Sequence, residues 1–150
     1  MKRFYSQRLF PLLLSAIGVL TLVAPAQAVQ RAYVSHGTAQ FTGPNTFVGA
    51  GTATHLARYE ETGSVQFSDT ADPTVSHLEA SATYTAVNNG DQLYATFSGE
   101  LNGVTGAINA TVTYVGGTGR FTNASGTATL SGQLLPGGSI EVDVKGTIDY

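Results

Sequence analysis

Tyr114-Val115-Gly116-Gly117-Thr118-Gly119-Arg120-Phe121, followed by Ala124-Ser125-Gly126, joins two alternating runs through a cluster of glycines. The run before the cluster puts Ile108, Ala110, Val112 and Tyr114 on one face, and the run after it extends to Leu134. Apolar residues at period two mark strands with one buried face, so the glycines between them must reverse the chain. Gly116 and Gly117 stand where the reversal falls, and glycine reaches positive φ without steric cost. Gly119 adds a second permissive point. Phe121 then returns a bulky side chain toward the end of the sheet, with Ala124 and Gly126 leaving room around it. Arg120 has two uses open to it: a guanidinium fork that closes the turn, or a cation at the edge of a pocket.

The same grammar continues in both directions. Strands are expected over 31–42, 46–57, 59–68, 76–87, 92–100, 104–115, 124–134 and 139–149. The separators are Gly43-Pro44-Asn45, the region of Glu61 and Gly63, Asp69 to Pro73, Asn88-Asn89-Gly90-Asp91, Asn102-Gly103, the Gly116–Gly119 cluster and Pro136-Gly137-Gly138. Asn89-Gly90-Asp91 is a hairpin signal because Asn and Gly both tolerate left-handed backbone. No helical period, second domain or longer repeat interrupts the pattern.

Alternation also assigns faces. Ile140, Val142, Val144, Ile148 and Tyr150 share one side of the last strand. Leu93, Ala95 and Phe97 share one side of the fifth, Ala80, Ala82, Tyr84 and Ala86 one side of the fourth, and Val65 with Phe67 one side of the third. The inward set is rich in alanine and glycine. Two readings follow: small side chains let a narrow interior close and fill, at most leaving a shallow mouth pocket, or they leave a cavity for a small apolar ligand. No acidic residue is read as facing inward.

The segment Gly116, Gly117, Gly119, Phe121, Ala124, Gly126 resembles the allene oxide cyclase and dirigent barrel families and their bacterial relatives of unknown role, whose pattern is Gly-Gly-x-Gly-x-Phe followed by small-x-Gly. The resemblance is strongest over 113–126 and looser over 38–150. It implies an all-β fold: a single closed antiparallel up-and-down barrel of about eight strands, calycin-like. The plant members are a cyclase of an unstable fatty-acid epoxide and proteins that steer radical coupling. The cyclase pocket employs a glutamate and a cysteine, and this chain has no cysteine. The resemblance therefore carries a fold and not a chemistry.

Residues 1–28 read as a secretory signal peptide: Lys2, Arg3 and Arg8 form a basic start, 9–23 is mostly apolar, and Ala26-Gln27-Ala28 is a small-x-small cleavage site. The apolar run is short for a membrane span. Cleavage after Ala28 would leave one barrel domain over 29–150, secreted or periplasmic and with no membrane association. The loss of Lys2, Arg3 and Arg8 would leave four basic residues against ten acidic, a net charge of −6 in place of −3. That balance argues against nucleic acid as a partner. Without cysteine, stability must come from the closed sheet and its core.

Candidate chemistry is sparse. His55 shares the small-residue side with Ala53 and Ala57 and carries an imidazole, a side chain suited to proton exchange; Arg58 and Tyr59 follow it, then Glu60 and Glu61, at a strand end that could line a barrel mouth. His55, Arg58, Tyr59 and Arg120 are accordingly the expected ligand-binding residues, and a solvated hairpin is the alternative for the first three. His36 points outward, and His77 with Glu79 reads as a surface pair rather than a metal site. No catalytic triad, phosphate loop, metal or cofactor site is expected. Three roles stay open: a binding barrel for a small apolar molecule, a cyclase or dirigent-like guide of a reactive intermediate, and a structural or interaction module of the envelope.

Overall fold

Eight runs of alternating side chains form eight strands: β1 (Arg31–Phe41), β2 (Thr46–Ala53), β3 (Ala57–Asp69), β4 (Val75–Ala86), β5 (Gln92–Asn102), β6 (Ala107–Gly117), β7 (Ser125–Leu134) and β8 (Ser139–Asp149). They were obtained from a computed structural model that describes residues 29–150. The leader expected over 1–28 lies outside the described residues. Each strand pairs antiparallel with the next, and β1 pairs with β8 from Arg31↔Ile148 to Gln40↔Ser139. The sheet is thus a closed up-and-down barrel, and closure leaves no strand edge to template aggregation.

Several strand ends shift by one or two residues from the sequence expectation, and two boundaries shift further. The chain does not break near Glu61 and Gly63; β3 runs through both, and the turn lies at Thr54-His55-Leu56. This turn contains no glycine. His55 (φ 74°) and Ala57 (φ 56°) take left-handed backbone, which L-residues adopt at a cost of about 1 kcal/mol or more each. The turn is pinned by Leu56, fully buried inside the barrel end, and by Thr54, whose Oγ1 accepts from the Val34 N–H at 2.9 Å. Gly63 is a strand residue because the ring of Phe47 occupies the place of its side chain. In the second case β6 starts at Ala107 instead of Val104: the Asn102 carboxamide oxygen accepts from the N–H groups of Val104 (3.0 Å) and Thr105 (2.9 Å), and holds them in a turn.

The interior divides into a plugged half and an open half. Leu56, Leu93, Phe121 and Ile148 are fully buried at the end that carries the β2–β3, β4–β5 and β6–β7 connections. Phe121 belongs to a short 3-10 turn, Gly119–Phe121, and its ring packs on Tyr150 with centroids 4.9 Å apart. The glycines before it act differently from one another. Gly116 (φ 112°) and Gly119 (φ 56°) take left-handed backbone, and Gly116 sits where β6 bulges against Tyr94 of β5. Gly117 does not; it is small because a Cβ there would strike the Gln92 carbonyl oxygen and come within 2.8 Å of the Phe121 Cβ. Gly126 (φ 143°) presses against the Thr147 carbonyl of β8. The β6–β7 connection is therefore a fitted stopper, and Phe121 is its shaft.

Candidate functional site

Above the plug the barrel carries a band of polar side chains. Tyr33 and Tyr114 pack over the stopper with ring centroids 4.9 Å apart and planes tilted by 54°. Ser35 of β1 and Tyr59 of β3 share a hydrogen bond of 3.0 Å, both buried. The Tyr59 ring meets that of Tyr84 of β4 edge-on, with centroids 5.1 Å apart. Glu61, one inward step beyond Tyr59, is only 6% exposed. The expectation of no inward-facing acid is thereby corrected: Glu61 has the same parity along β3 as Tyr59, Val65 and Phe67, and it points into the barrel. The assignment of a break at Glu61 had hidden this, since parity cannot be carried across a turn.

The backbone opposite is cut away to seat these groups. A Cβ at Gly37 or Gly51 would lie 2.6 Å from the Tyr59 hydroxyl, and one at Gly49 would lie 2.8 Å from Glu61 Oε2. Three glycines of β1 and β2 are thus the space into which β3 projects its phenol and its carboxylate.

Burial raises the Glu61 carboxyl to about 7, and the Tyr84 hydroxyl that hydrogen-bonds to it only partly offsets that. The tyrosines around it are pushed upward as well: Tyr33 by burial and then by Tyr59; Tyr114 by burial and then by Tyr33. Burial comes first for Tyr84 also, followed by the Glu61 charge. They stay neutral hydroxyls at any ordinary pH. Tyr33 Oη is buried without a hydrogen-bond partner among the described residues.

Glu61, Tyr59 and Tyr84 form the floor of a cavity of about 90 Å³. Its walls are apolar, among them Val65, Leu78, Ala80, Phe97, Leu130 and Val144. It reaches the surface between the connections 42–45, 70–74, 103–106 and 135–138, where Phe41, Phe47, Phe67, Leu101, Ile108 and Leu134 form the rim. Phe67 is 42% exposed there. The volume is smaller than the roughly 150 Å³ cavity that encloses a benzene molecule. A ligand would therefore insert one end and leave the rest at the rim.

The expected ligand-binding residues are not brought together. Tyr59 lines the cavity. His55 and Arg120 lie at the plugged end: His55 Nε2 hydrogen-bonds the Ala32 carbonyl at 3.0 Å and its ring meets the edge of Tyr150, while Arg120 pairs with Asp91 at 3.2 Å and ties the stopper to the β4–β5 turn. Arg58 is exposed on the outer face beside them. The mouth is at the opposite end from all three. His36 is outside, 3.0 Å from Asp143, and His77 is outside, 2.9 Å from Glu79. Ser35 and Tyr84 are the functional candidates that site reasoning missed, although the alternation had already placed Tyr84 inward; Glu61 was named only at a strand end that could line a mouth, not as an inward-facing acid. Compared with known proteins, the chain matches no family model and no curated protein.

Proposed function

We propose that the chain is an exported binding barrel that takes the end of a small, largely apolar molecule into the cavity floored by Glu61. The observation that carries the reading is the pairing of an apolar-walled cavity with an apolar aromatic rim and a polar floor. The rim leaves apolar surface at this end, with Phe67 exposed and Phe41, Phe47 and Leu101 half-buried, whereas the opposite end is sealed by Leu56, Leu93, Phe121 and Ile148. Hydrophobic walls with a few convergent polar groups are the usual make-up of small-molecule sites. Export is supported by the basic, apolar and small-x-small parts of residues 1–28, and kinship with the allene oxide cyclase and dirigent barrels by the glycine pattern of the stopper.

One observation favours a second reading. Glu61 is buried, faces the cavity and exchanges its proton near neutrality. Such a group suits general acid–base work in a site that limits the conformers of a reactive intermediate, as an isomerase or cyclase does. Binding is the reading that needs fewer parts.

Titration with the neutral fluorophore N-phenyl-1-naphthylamine tests it. Saturable fluorescence enhancement is expected, and Ala80→Phe, which fills the cavity wall, should weaken binding by about tenfold or more. His36→Ala, on the outer face, should leave it unchanged. No saturable binding, or equal binding to Ala80→Phe, would overturn the reading.

A further inference from the structure

The acid at the cavity floor has no cation. Among the described residues no arginine, lysine or histidine lines the cavity. The polar groups that face Glu61 are Tyr59 of its own strand, Tyr84 of β4 and Tyr33 of β1, whose ionisation its charge opposes, with Ser35 beyond them; the polar group that β2 offers is the backbone at Gly49. All are neutral hydroxyls or peptide groups. An ionised carboxylate there is desolvated and unpaired, a costly state that a positive partner would relieve. Tyr59, Tyr84 and Phe97 bring aromatic rings to the same cavity, and ring faces attract ammonium groups. The rim rings of Phe41, Phe47 and Phe67 suit an aryl group. The net charge of −3 for the whole chain favours the approach of cations.

Resting on the reading of this cavity as a ligand site, we infer that its ligand is a slender arylalkylamine, whose ammonium pairs with the Glu61 carboxylate between the rings of Tyr59 and Tyr84 while the aryl group occupies the phenylalanine rim. A carboxylic acid of the same size is rejected, because two carboxylates would share one desolvated floor. A neutral alcohol binds, but leaves the carboxylate's charge uncompensated. The ammonium binds ionised Glu61, so below neutrality each amine bound displaces one proton from that carboxyl to solvent.

Isothermal titration of the full barrel with 2-phenylethylamine, 2-phenylethanol and 3-phenylpropanoate tests the assignment. At about pH 8 the amine should bind roughly tenfold or more tighter than the alcohol, with no binding of the acid. At about pH 6 the amine's affinity should fall roughly tenfold, and heats measured in two buffers of different ionisation enthalpy should report close to one proton released; the alcohol should show neither effect. Glu61→Gln should reduce the amine to the level of the alcohol. Equal binding of amine and alcohol, preference for the acid, or an amine preference that survives in Glu61→Gln would overturn the amine assignment. If N-phenyl-1-naphthylamine still binds in those cases, the cavity reading stands without it; if that probe also fails, both fall.

Discussion

Burial keeps the Glu61 proton on the folded chain to about pH 7, whereas an unburied glutamate releases it near 4.5. Between those values the folded state binds more protons than the unfolded one. Stability contributed by this residue is therefore complete below the unfolded value, and is lost as pH rises toward 7. Glu79, whose carboxyl is lowered by hydrogen bonds from Ser98 and His77, acts in the opposite sense and only at lower pH. Denaturant melts of wild type and Glu61→Gln at pH 5 and 7.5 should differ in their pH dependence. The wild type loses about 2 kcal/mol relative to the variant across that window. Parallel pH profiles would mean that Glu61 is not buried as an acid. Tyr33 offers a second residue-scale test. Its hydroxyl is buried without a partner among the described residues, so Tyr33→Phe should be neutral or stabilise by about 1 kcal/mol in the same melts, where most core substitutions destabilise.

The stopper is the element on which the closed end depends. Phe121 is fully buried against Tyr150 and beneath Gly117, so Phe121→Ala should cost about 3–5 kcal/mol, and Gly117→Ala should also destabilise because its Cβ meets the Gln92 carbonyl. Thermal unfolding of the two variants measures this, and near-native stability in both would make the segment an ordinary surface loop. The glycine pattern made this element legible in sequence: the reversal, the returning aromatic and the small residues around it are all local. Strand positions were legible for the same reason, since period two survives wherever a strand has one wet and one dry face. The β2–β3 turn was not. It has no glycine, and its left-handed residues are His55 and Ala57, held by the burial of Leu56, a contact that only the closed barrel supplies. That one misplaced turn also hid the site. Val65 and Phe67 were read as inward, and the same alternation carried two and three steps back reaches Glu61 and Tyr59. Gly37, Gly49 and Gly51 gave no warning either, because glycines that make space across a sheet look like glycines that loosen a strand until the opposing side chain is known.

At the scale of the whole molecule the two ends of the barrel have different tasks. One end is sealed by Leu56, Leu93, Phe121 and Ile148; the other holds a cavity whose rim is aromatic and whose floor is acidic. Polar chemistry that is conspicuous in sequence, at His55, Arg58 and Arg120, gathers at the sealed end and serves its turns. The chemistry at the floor of the cavity is quieter: one glutamate and two tyrosines, which the proposed reading assigns to a ligand. In the proposed reading, ligands enter by the Phe67 end. Methyl-resolved NMR of the barrel titrated with N-phenyl-1-naphthylamine tests it most directly. The methyls of Leu78, Ile108, Leu130 and Val144, which line the cavity, should shift with a common saturation curve and show contacts to the probe, while those of Leu56 and Ile148 should not move. Shifts centred on Leu56 and Ile148, beside His55 and Arg120, would contradict it.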